Sequence, residues 1–311
     1  MDAPTRSWRS HPAEAVFSSW TAPDGWVLRR MDWPQDEGAP VRGSLLFVGG
    51  RGDFIEKYLE AYAEWHCEGW HVTTFDWRGQ GGSQDDDPAR LVSFAEMTAD
   101  LVALIDAWRA ETPGPHVAVA HSMGGHLLLR ALVGQAPALD AAVLVAPMLG
   151  VNSYPMPAWL APQIAEFMCQ LGWEKERVWK PPVGGSPWGS TRQRNLTGDR
   201  DRYEDELHWW AARPGFDIGS PNWAWLREAF RSSAEFFTPA KLARVTIPVL
   251  VVATARDRLV SAEAIRRVAA ALPDARIEWV DAAAHEILRE SDPARRDALD
   301  RIAAFLAGLK A

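Results

Sequence analysis

The sequence contains a serine placed where it could act as a nucleophile. Ser122 lies in the stretch AHSMGG, residues 120–125, between an apolar run and a helical pattern. A strand, a sharp turn and a helix with serine at the apex are typical of the nucleophile elbow, whose pattern is G-x-S-x-G. Ala120 replaces the first glycine, and its small side chain still lets the strand and helix backbones pass closely. The alternative is an ordinary serine that caps a helix N-terminus.

A histidine and an acid follow this serine at suitable places in the chain. A serine hydroxyl is a weak nucleophile unless a base takes its proton. After such an elbow, the usual chain order is serine, then acid, then histidine. Asp257 follows the apolar run Val249–Ala253, and His285 follows the run Arg276–Val280. We predict a catalytic triad in which Asp257 orients His285, and His285 acts as base on Ser122 and then as acid.

Each member of this triad also has an ordinary structural alternative. Asp257 could cap a helix or pair with a flanking arginine, and His285 could be a surface loop histidine. The seven other histidines are less well placed; His121, for example, adjoins the serine and is expected to pack beneath the elbow. No acid follows the run Ala142–Ala146, so the other acid position that some hydrolases use is empty. The joint placement of the three residues favours the triad.

An acyl-transfer site also needs two backbone N–H donors for the oxyanion. One is the residue after the nucleophile, here Met123, and the other comes from the loop after the third strand. That loop is GGRGD, residues 49–53, and by position we assign the second donor to Arg51. Its glycines could suggest a phosphate-binding loop, but the Lys-Ser/Thr pair and the full G-x-G-x-x-G spacing are missing. We therefore predict an oxyanion hole at the amides of Arg51 and Met123.

Alternating strand and helix patterns must position these residues. Nearly continuous apolar runs are typical of parallel strands covered on both faces. The alternation predicts an α/β fold with a mostly parallel sheet flanked by helices. The predicted strands are Phe17–Trp20 and Val27–Met31 (a hairpin), Ser44–Val48, His71–Phe75, Val117–Ala120, Ala142–Ala146, Val249–Ala253 and Arg276–Val280. The predicted helices are Asp53–Glu68, Phe94–Arg109, Gly124–Gly134, Ala262–Leu272 and Pro293–Leu309.

The alternation is interrupted between residues 151 and 238. This stretch is rich in proline and glycine and carries eight of the seventeen tryptophans of the chain. We interpret residues 1–150 and 239–311 as the core, and residues 151–238 as a Trp-rich lid inserted between two core strands. Its predicted helices are Trp159–Leu171, Arg202–Ala212 and Trp223–Phe236. The tryptophans either form the core of the lid or line a slot for an acyl chain.

Composition excludes several classes of protein. The 311 residues include 33 Lys and Arg and 41 Asp and Glu, which give a formal net charge of −8. This negative charge disfavours nucleic-acid binding. No run approaches the roughly 18 apolar residues of a membrane span, so we predict no stable membrane insertion. There is no His-x-x-x-His motif and no acid-rich calcium loop, so we predict neither metal nor cofactor. The oligomeric state is not predicted.

The compartment is predicted from the N-terminus and the cysteines. The first residues lack the apolar centre of a secretory signal peptide. Cys67 and Cys169 stand far apart in no metal-like spacing, and we predict that both are buried free thiols. Free thiols fit a reducing environment, so the expected location is the cytoplasm.

Four stretches that carry these residues resemble motifs of the α/β-hydrolase superfamily. They are GRGDFIEKY (50–58), FDWRGQGGS (75–83), HSMGG (121–125) and HEILRE (285–290). Within the superfamily the chain resembles the bacterial lysophospholipase and monoacylglycerol lipase-like, serine aminopeptidase S33-type group. A looser likeness lies in the insertion at NLTGD, residues 195–199. The departures are Ala120 and the Gly49-Gly50 pair, where many relatives have His-Gly. The resemblance implies an α/β-hydrolase fold with a helical lid.

The residues and the resemblance together predict a serine hydrolase that cleaves carboxylic esters through an acyl-enzyme. The favoured substrates are lipid-like monoacyl esters, either lysophospholipids or monoacylglycerols. Because triad chemistry serves acyl transfer in general, a peptidase, thioesterase, amidase or C–C bond hydrolase stays open. A ligand sensor that keeps the site but turns over slowly is a further alternative. Neither the acyl length nor the head group is predicted.

Overall fold

A twisted sheet of eight strands organises the protein. The computed structural model describes residues 8–85, 90–180 and 186–309. The strand order is β1-β2-β4-β3-β5-β6-β7-β8, and β3 to β8 run parallel to one another. The strands are β1 (Val16–Thr21), β2 (Val27–Trp33), β3 (Gly43–Val48), β4 (Trp70–Phe75), β5 (His116–His121), β6 (Ala141–Val145), β7 (Val249–Ala253) and β8 (Ala275–Trp279). The predicted α/β fold with a mostly parallel sheet is confirmed, and each predicted strand lies within two residues of its observed bounds.

Helices cover both faces of this sheet. Successive residues of a strand point to opposite faces. In β3, Leu46 belongs to a core cluster with α2, α3 and α9, and Phe47 belongs to a second cluster with α1 and α10. The helices are α1 (Leu59–Cys67), α2 (Phe94–Glu111), α3 (Met123–Gly134), α4 (Ala161–Gln170), α5 (Thr191–Leu196), α6 (Arg200–Ala212), α7 (Trp223–Phe236), α8 (Pro239–Leu242), α9 (Ala262–Ala269) and α10 (Asp292–Ala307). Among the described residues, no helix combines the length and apolar character needed to cross a membrane.

The chain between β6 and β7 leaves the sheet and forms a set of helices. We call residues 151–238 the inserted segment; it contains α4, α5, α6 and α7. Helix α4 packs against α7, and α7 packs in turn on α3 of the core. Helix α6 contacts the 3₁₀ turn Ile55–Tyr58 that precedes α1. The inserted segment therefore touches both the helix after β5 and the loop after β3.

The tryptophans of the inserted segment fall into two groups. Four of them are between 40% and 68% exposed: Trp159, Trp173, Trp179 and Trp188. The other four lie in α6 and α7 and are buried or half-buried: Trp209, Trp210, Trp223 and Trp225. The Nε1 atom of Trp209 donates a hydrogen bond to the carbonyl oxygen of Trp8 at 3.0 Å, so this ring is a packing contact with the N-terminal stretch.

The two cysteines differ in exposure. Both are free thiols, and Cys169 is buried. Cys67 is exposed, so the prediction that it would be buried is wrong. The reason is helical periodicity, because the buried face of α1 contains Leu59, Tyr62 and Trp65, and Cys67 at the last helical position lies off that face.

Candidate active site

Ser122 lies on the tight turn that joins β5 to α3. Its φ is 50° and its ψ −114°, a conformation that non-glycine residues rarely adopt because it is strained. The Ser122 N–H donates to the carbonyl oxygen of Val145 at 3.0 Å, and the Met148 N–H donates to the carbonyl oxygen of Ser122 at 2.9 Å. A Cβ atom at Gly124 would clash with the carbonyl oxygen of Val48. The close passage of β3 past α3 therefore requires the glycine after the turn.

The structure brings Ser122, His285 and Asp257 together. The Nε2 atom of His285 lies 2.9 Å from Ser122 Oγ, and its Nδ1 atom lies 2.6 Å from Asp257 Oδ2. The other carboxylate oxygen of Asp257 accepts the N–H groups of Leu259 at 2.8 Å and Val260 at 3.0 Å. With Asp257 as acceptor, Nδ1 carries the proton and Nε2 offers its lone pair to the serine hydroxyl. This is the geometry of a nucleophile, a base and an orienting acid.

The electrostatics of His285 and Asp257 suit these roles. Burial lowers the pKa of His285, but the negative charge of Asp257 and its hydrogen bond outweigh burial and raise this pKa above 6.5. Burial raises the pKa of Asp257, but the charge and hydrogen bond of His285 bring it below 3.8. Asp257 therefore stays ionised at neutral pH, and its negative charge favours the protonated form of the His285 ring.

The loop after β3 is held by hydrogen bonds from two directions. The Gly50 N–H donates to Asp53 Oδ2 at 2.6 Å, within the loop. The Gly52 N–H donates to Gln80 Oε1 at 2.6 Å, from the turn after β4. A Cβ atom at Gly50 would lie 3.0 Å from Ser122 Cβ, so the loop passes directly against Ser122.

Two backbone N–H groups, one in the loop after β3 and one directly after Ser122, make no hydrogen bond within the described residues. Arg51 stands between the two anchored glycines of the loop, and Met123 is the first residue of α3. Within the described part of the chain, neither the Arg51 N–H nor the Met123 N–H has a hydrogen-bond acceptor. The first N–H groups of a helix lack intrahelical acceptors and favour negative charge. Both amides predicted from the sequence as oxyanion donors thus have no hydrogen-bond acceptor among the described residues.

His121 lies beneath the elbow, as its position in the sequence indicated. Its ring is buried and its centre is 5.0 Å from that of His285. Its Nδ1 atom lies 2.7 Å from Asp53 Oδ2 and 3.0 Å from the Tyr58 hydroxyl oxygen. The same Asp53 oxygen accepts the Gly50 N–H, so His121 helps to fix the loop after β3.

A buried cluster of charges, which sequence reasoning missed, connects this loop to the rest of the site. The Nζ atom of Lys57 lies 2.6 Å from Glu286, 2.8 Å from Asp53 and 3.3 Å from Glu206. Burial lowers the pKa of Lys57, but the three carboxylates outweigh burial and raise it. Burial raises the pKa of Glu206, but Arg192 and Lys57 bring it well below its usual range. We call Lys57, Asp53, Glu206 and Glu286 the Lys57 cluster.

The inserted segment also supports, through its backbone, the loop after β8 that carries His285, which we call the histidine loop. The His285 N–H donates to the carbonyl oxygen of Asn195 at 3.2 Å, and the Glu286 N–H donates to that of Leu196 at 2.8 Å. One residue later, Thr197 Oγ1 donates to the carbonyl oxygen of Arg289 at 2.7 Å. The NLTGD stretch is thus a structural partner of the histidine loop.

These features define the class of protein. The structure has the features of an α/β-hydrolase: a mostly parallel sheet, a strained serine turn after β5, an acid after β7 and a histidine after β8. Among the described residues, no group of three or more His, Cys, Asp or Glu side chains is arranged to hold a metal ion.

Comparison with known proteins identifies the family. Residues 39–292 match the family model described as serine aminopeptidase, S33, and the chain belongs to that family. Lysophospholipase L2 of Escherichia coli (strain K12) is 31% identical over 285 residues, which cover 84% of this chain and 79% of that protein. The probable lysophospholipase L2 of Haemophilus influenzae is 27% identical over 276 residues, 86% of this chain and 84% of that protein.

A solved structure shows the same fold. A soluble variant of monoglyceride lipase from Saccharomyces cerevisiae, in complex with a substrate analogue, superposes with a TM-score of 0.77 at 16% identity, covering 100% of both chains. The protein is therefore a hydrolase of the serine aminopeptidase S33 family, and its sequence relatives include lysophospholipase L2, as the sequence motifs predicted.

Proposed function

We propose that the protein is a serine esterase in which Ser122, His285 and Asp257 act as the catalytic triad. The observation that carries the proposal is the bridging position of His285, 2.9 Å from the serine oxygen and 2.6 Å from the carboxylate. His285 takes the Ser122 proton as the oxygen attacks the ester carbonyl, and then gives this proton to the leaving alcohol. Water, activated by the same imidazole, releases the acid from the acyl-enzyme.

The oxyanion of each tetrahedral intermediate binds the amides of Arg51 and Met123 in this proposal. Support comes from the loop geometry, in which the flanking N–H groups of Gly50 and Gly52 are already used. Preorganised donors of this kind lower the barrier because they need no reorientation as charge develops.

The proposed substrates are lipid-like monoacyl esters, either lysophospholipids or monoacylglycerols. The names of the sequence relatives and of the yeast structural neighbour support this class. We further propose that residues 1–150 and 239–311 form the catalytic core and that residues 151–238 act as a lid. The contacts of α7 with α3, and of Asn195 with His285, support the lid because they place the inserted segment beside the triad.

The proposed compartment is the cytoplasm. The observation in favour is the state of the two cysteines, which are both free and belong to different parts of the fold. Unpaired thiols are typical of proteins in reducing compartments.

The first experiment is active-site labelling with a fluorophosphonate. We expect the protein to be labelled and Ser122→Ala to lose both labelling and turnover of p-nitrophenyl esters. Ser19→Ala, which removes an exposed hydroxyl on the edge strand β1, is the matched control and should keep both. Labelling that persists in Ser122→Ala would place the nucleophile elsewhere. A panel of lysophospholipids and monoacylglycerols of equal acyl length then tests the substrate class.

A further inference from the structure

Two arginine side chains converge beside the proposed oxyanion hole. The Arg51 guanidinium donates from Nη1 to the carbonyl oxygen of Gly219 at 2.8 Å and from Nη2 to that of Ser220 at 3.0 Å. Arg177 Nη1 donates to the same Ser220 oxygen at 2.8 Å and to the carbonyl oxygen of Ile218 at 2.8 Å. Because both guanidinium groups share one acceptor, they lie side by side.

The charges of these two arginines are poorly compensated. In the described part of the chain, neither Arg51 nor Arg177 forms an ion pair with a carboxylate within 4.0 Å. Burial and then the positive charge of Arg177 lower the pKa of Arg51 to about 10, and Asp217 offsets only part of this effect. Other arginines of the protein, such as Arg29 and Arg202, are paired with carboxylates at 2.6 to 2.7 Å. A pair of cations without a counter-ion is suited to an anionic ligand.

The Arg51 side chain connects the arginine pair to the proposed oxyanion hole through Trp225. Arg51 is the residue whose own N–H is proposed to bind the oxyanion. Its guanidinium carbon lies 5.5 Å from the ring centre of Trp225 in α7, and Trp225 Nε1 lies 3.3 Å from the sulfur of Met123. The side chains of both proposed oxyanion donors therefore contact Trp225 of the inserted segment. The positive charge of the Arg51 guanidinium lies against this segment.

Both guanidinium groups keep donors for a ligand. A guanidinium has five N–H groups, and its planar fork matches the oxygens of a phosphate. Among the described residues, Arg51 donates one hydrogen bond from Nη1 and one from Nη2, and both hydrogen bonds of Arg177 come from Nη1. Arg177 is exposed, whereas the Arg51 guanidinium is largely buried, so an incoming phosphate meets Arg177 first.

We propose that Arg51 and Arg177 form a subsite for the phosphate of a phosphate-bearing monoacyl ester. In a lysophospholipid the phosphate is joined to the scissile ester through a short glycerol backbone, so it lies near the oxyanion during attack. A monoacylglycerol has no charge at that place and gains nothing from the pair. The subsite thus favours lysophospholipids over monoacylglycerols; this inference rests on the proposed esterase function.

The test compares two substrates of equal acyl length, a lysophosphatidylcholine and a monoacylglycerol. In Arg177→Gln we expect the ratio of kcat/KM for the phospholipid to that for the glyceride to fall about tenfold, the effect of one charge-assisted hydrogen bond. Arg177→Lys should restore part of the ratio, because it returns the charge without the planar fork. Lys175→Gln, which removes another exposed cation of the inserted segment, should leave the ratio unchanged.

The outcomes separate this inference from the proposed function. If the unmodified protein cleaves neither substrate, the proposed function fails; if it cleaves both and Arg177→Gln leaves the ratio unchanged, only the phosphate subsite is refuted. Inorganic phosphate is the second probe, as an inhibitor of p-nitrophenyl ester turnover. Inhibition that weakens in Arg177→Gln together with the ratio supports the subsite. Inhibition that weakens while the ratio stays constant assigns the pair to free phosphate and overturns the head-group assignment.

Discussion

Removing the Lys57 ammonium should destabilise the protein strongly. Lys57→Met keeps most of the side-chain volume but leaves Asp53, Glu206 and Glu286 without the cation that they share at 2.6 to 3.3 Å. The ammonium is almost fully buried, so water cannot replace it without a rearrangement.

The magnitude follows from what remains in the cluster. Breaking a buried ion pair by removing one partner costs about 3–5 kcal/mol. Here Arg192 still lies 2.7 Å from Glu206, Arg289 still pairs with Glu286, and His121 still lies 2.7 Å from Asp53. We therefore expect the lower end of that range, a loss of about 3 kcal/mol in the free energy of unfolding at pH 7.

The pH dependence has a definite sign. In the unmodified protein, burial raises the pKa values of Asp53 and Glu206. Lys57 and other cations outweigh burial because they stabilise the charged carboxylates, so both pKa values are lowered. A lowered carboxyl pKa contributes stability that is present above the unfolded-state pKa and is lost as the pH falls through the folded-state pKa. In Lys57→Met the stranded carboxylates bind protons more readily, so the difference between the two proteins should shrink from pH 8 to pH 5.

Urea denaturation followed by far-UV circular dichroism at pH 8, 7 and 5 measures this difference. Lys175→Met, at an exposed lysine, is the control and should change the free energy of unfolding by less than about 0.5 kcal/mol. A loss below 1 kcal/mol, or an equal loss at pH 5 and pH 8, would show that the cluster does not depend on the Lys57 charge.

Two further predictions concern the histidines. In the proposed mechanism neutral His285 is the base, and its pKa is raised above 6.5, so kcat/KM should fall as the pH drops through that pKa. Asp257→Asn should move the midpoint of this pH profile to lower pH and reduce kcat by roughly 10⁴-fold. An unmoved midpoint in the ester assay would refute the coupling between the two residues. His126 is fully buried, and burial lowers its pKa to about 4. The free energy of unfolding should therefore decrease by up to about 3 kcal/mol as the pH falls from 6.5 to 4. His126→Gln should reduce this pH dependence, which denaturation at several pH values measures.

The fold was predictable because its signal is local. Each buried strand is a short apolar run, and the helices after β3, β4 and β5 show regular apolar spacing that a single stretch of sequence reveals. Helices α5 and α8, with six and four residues, are too short to show such spacing, and both escaped prediction. Helix α2 begins at Phe94 as predicted, directly after its N-cap Ser93, but it ends at Glu111, two residues beyond the predicted Arg109.

The proposed site likewise contains residues that the sequence predicted and residues that it did not. Ser122, Asp257 and His285 each follow a strand, and the carboxyl ends of parallel strands meet at one edge, so the topology predicts that the three residues lie together. The Lys57 cluster gave no such signal, because Glu206 comes from a helix of the inserted segment far along the chain and nothing near it in sequence indicates its partners. The tryptophan count marked the inserted segment, but it did not indicate that four rings face solvent or that Trp225 contacts Met123.

The Lys57 cluster has a consequence for how such a protein diversifies. Helix α6 supplies Glu206 to an ion network that also holds the loop after β3 and the histidine loop, so we expect a substitution there to disturb the proposed active site and folding together. Helix α4 packs against α7 and presents Phe167 to solvent, outside that network. Exchange of α4 between relatives therefore leaves this ion network intact, whereas exchange of α6 requires compensating changes at Lys57 and Glu286.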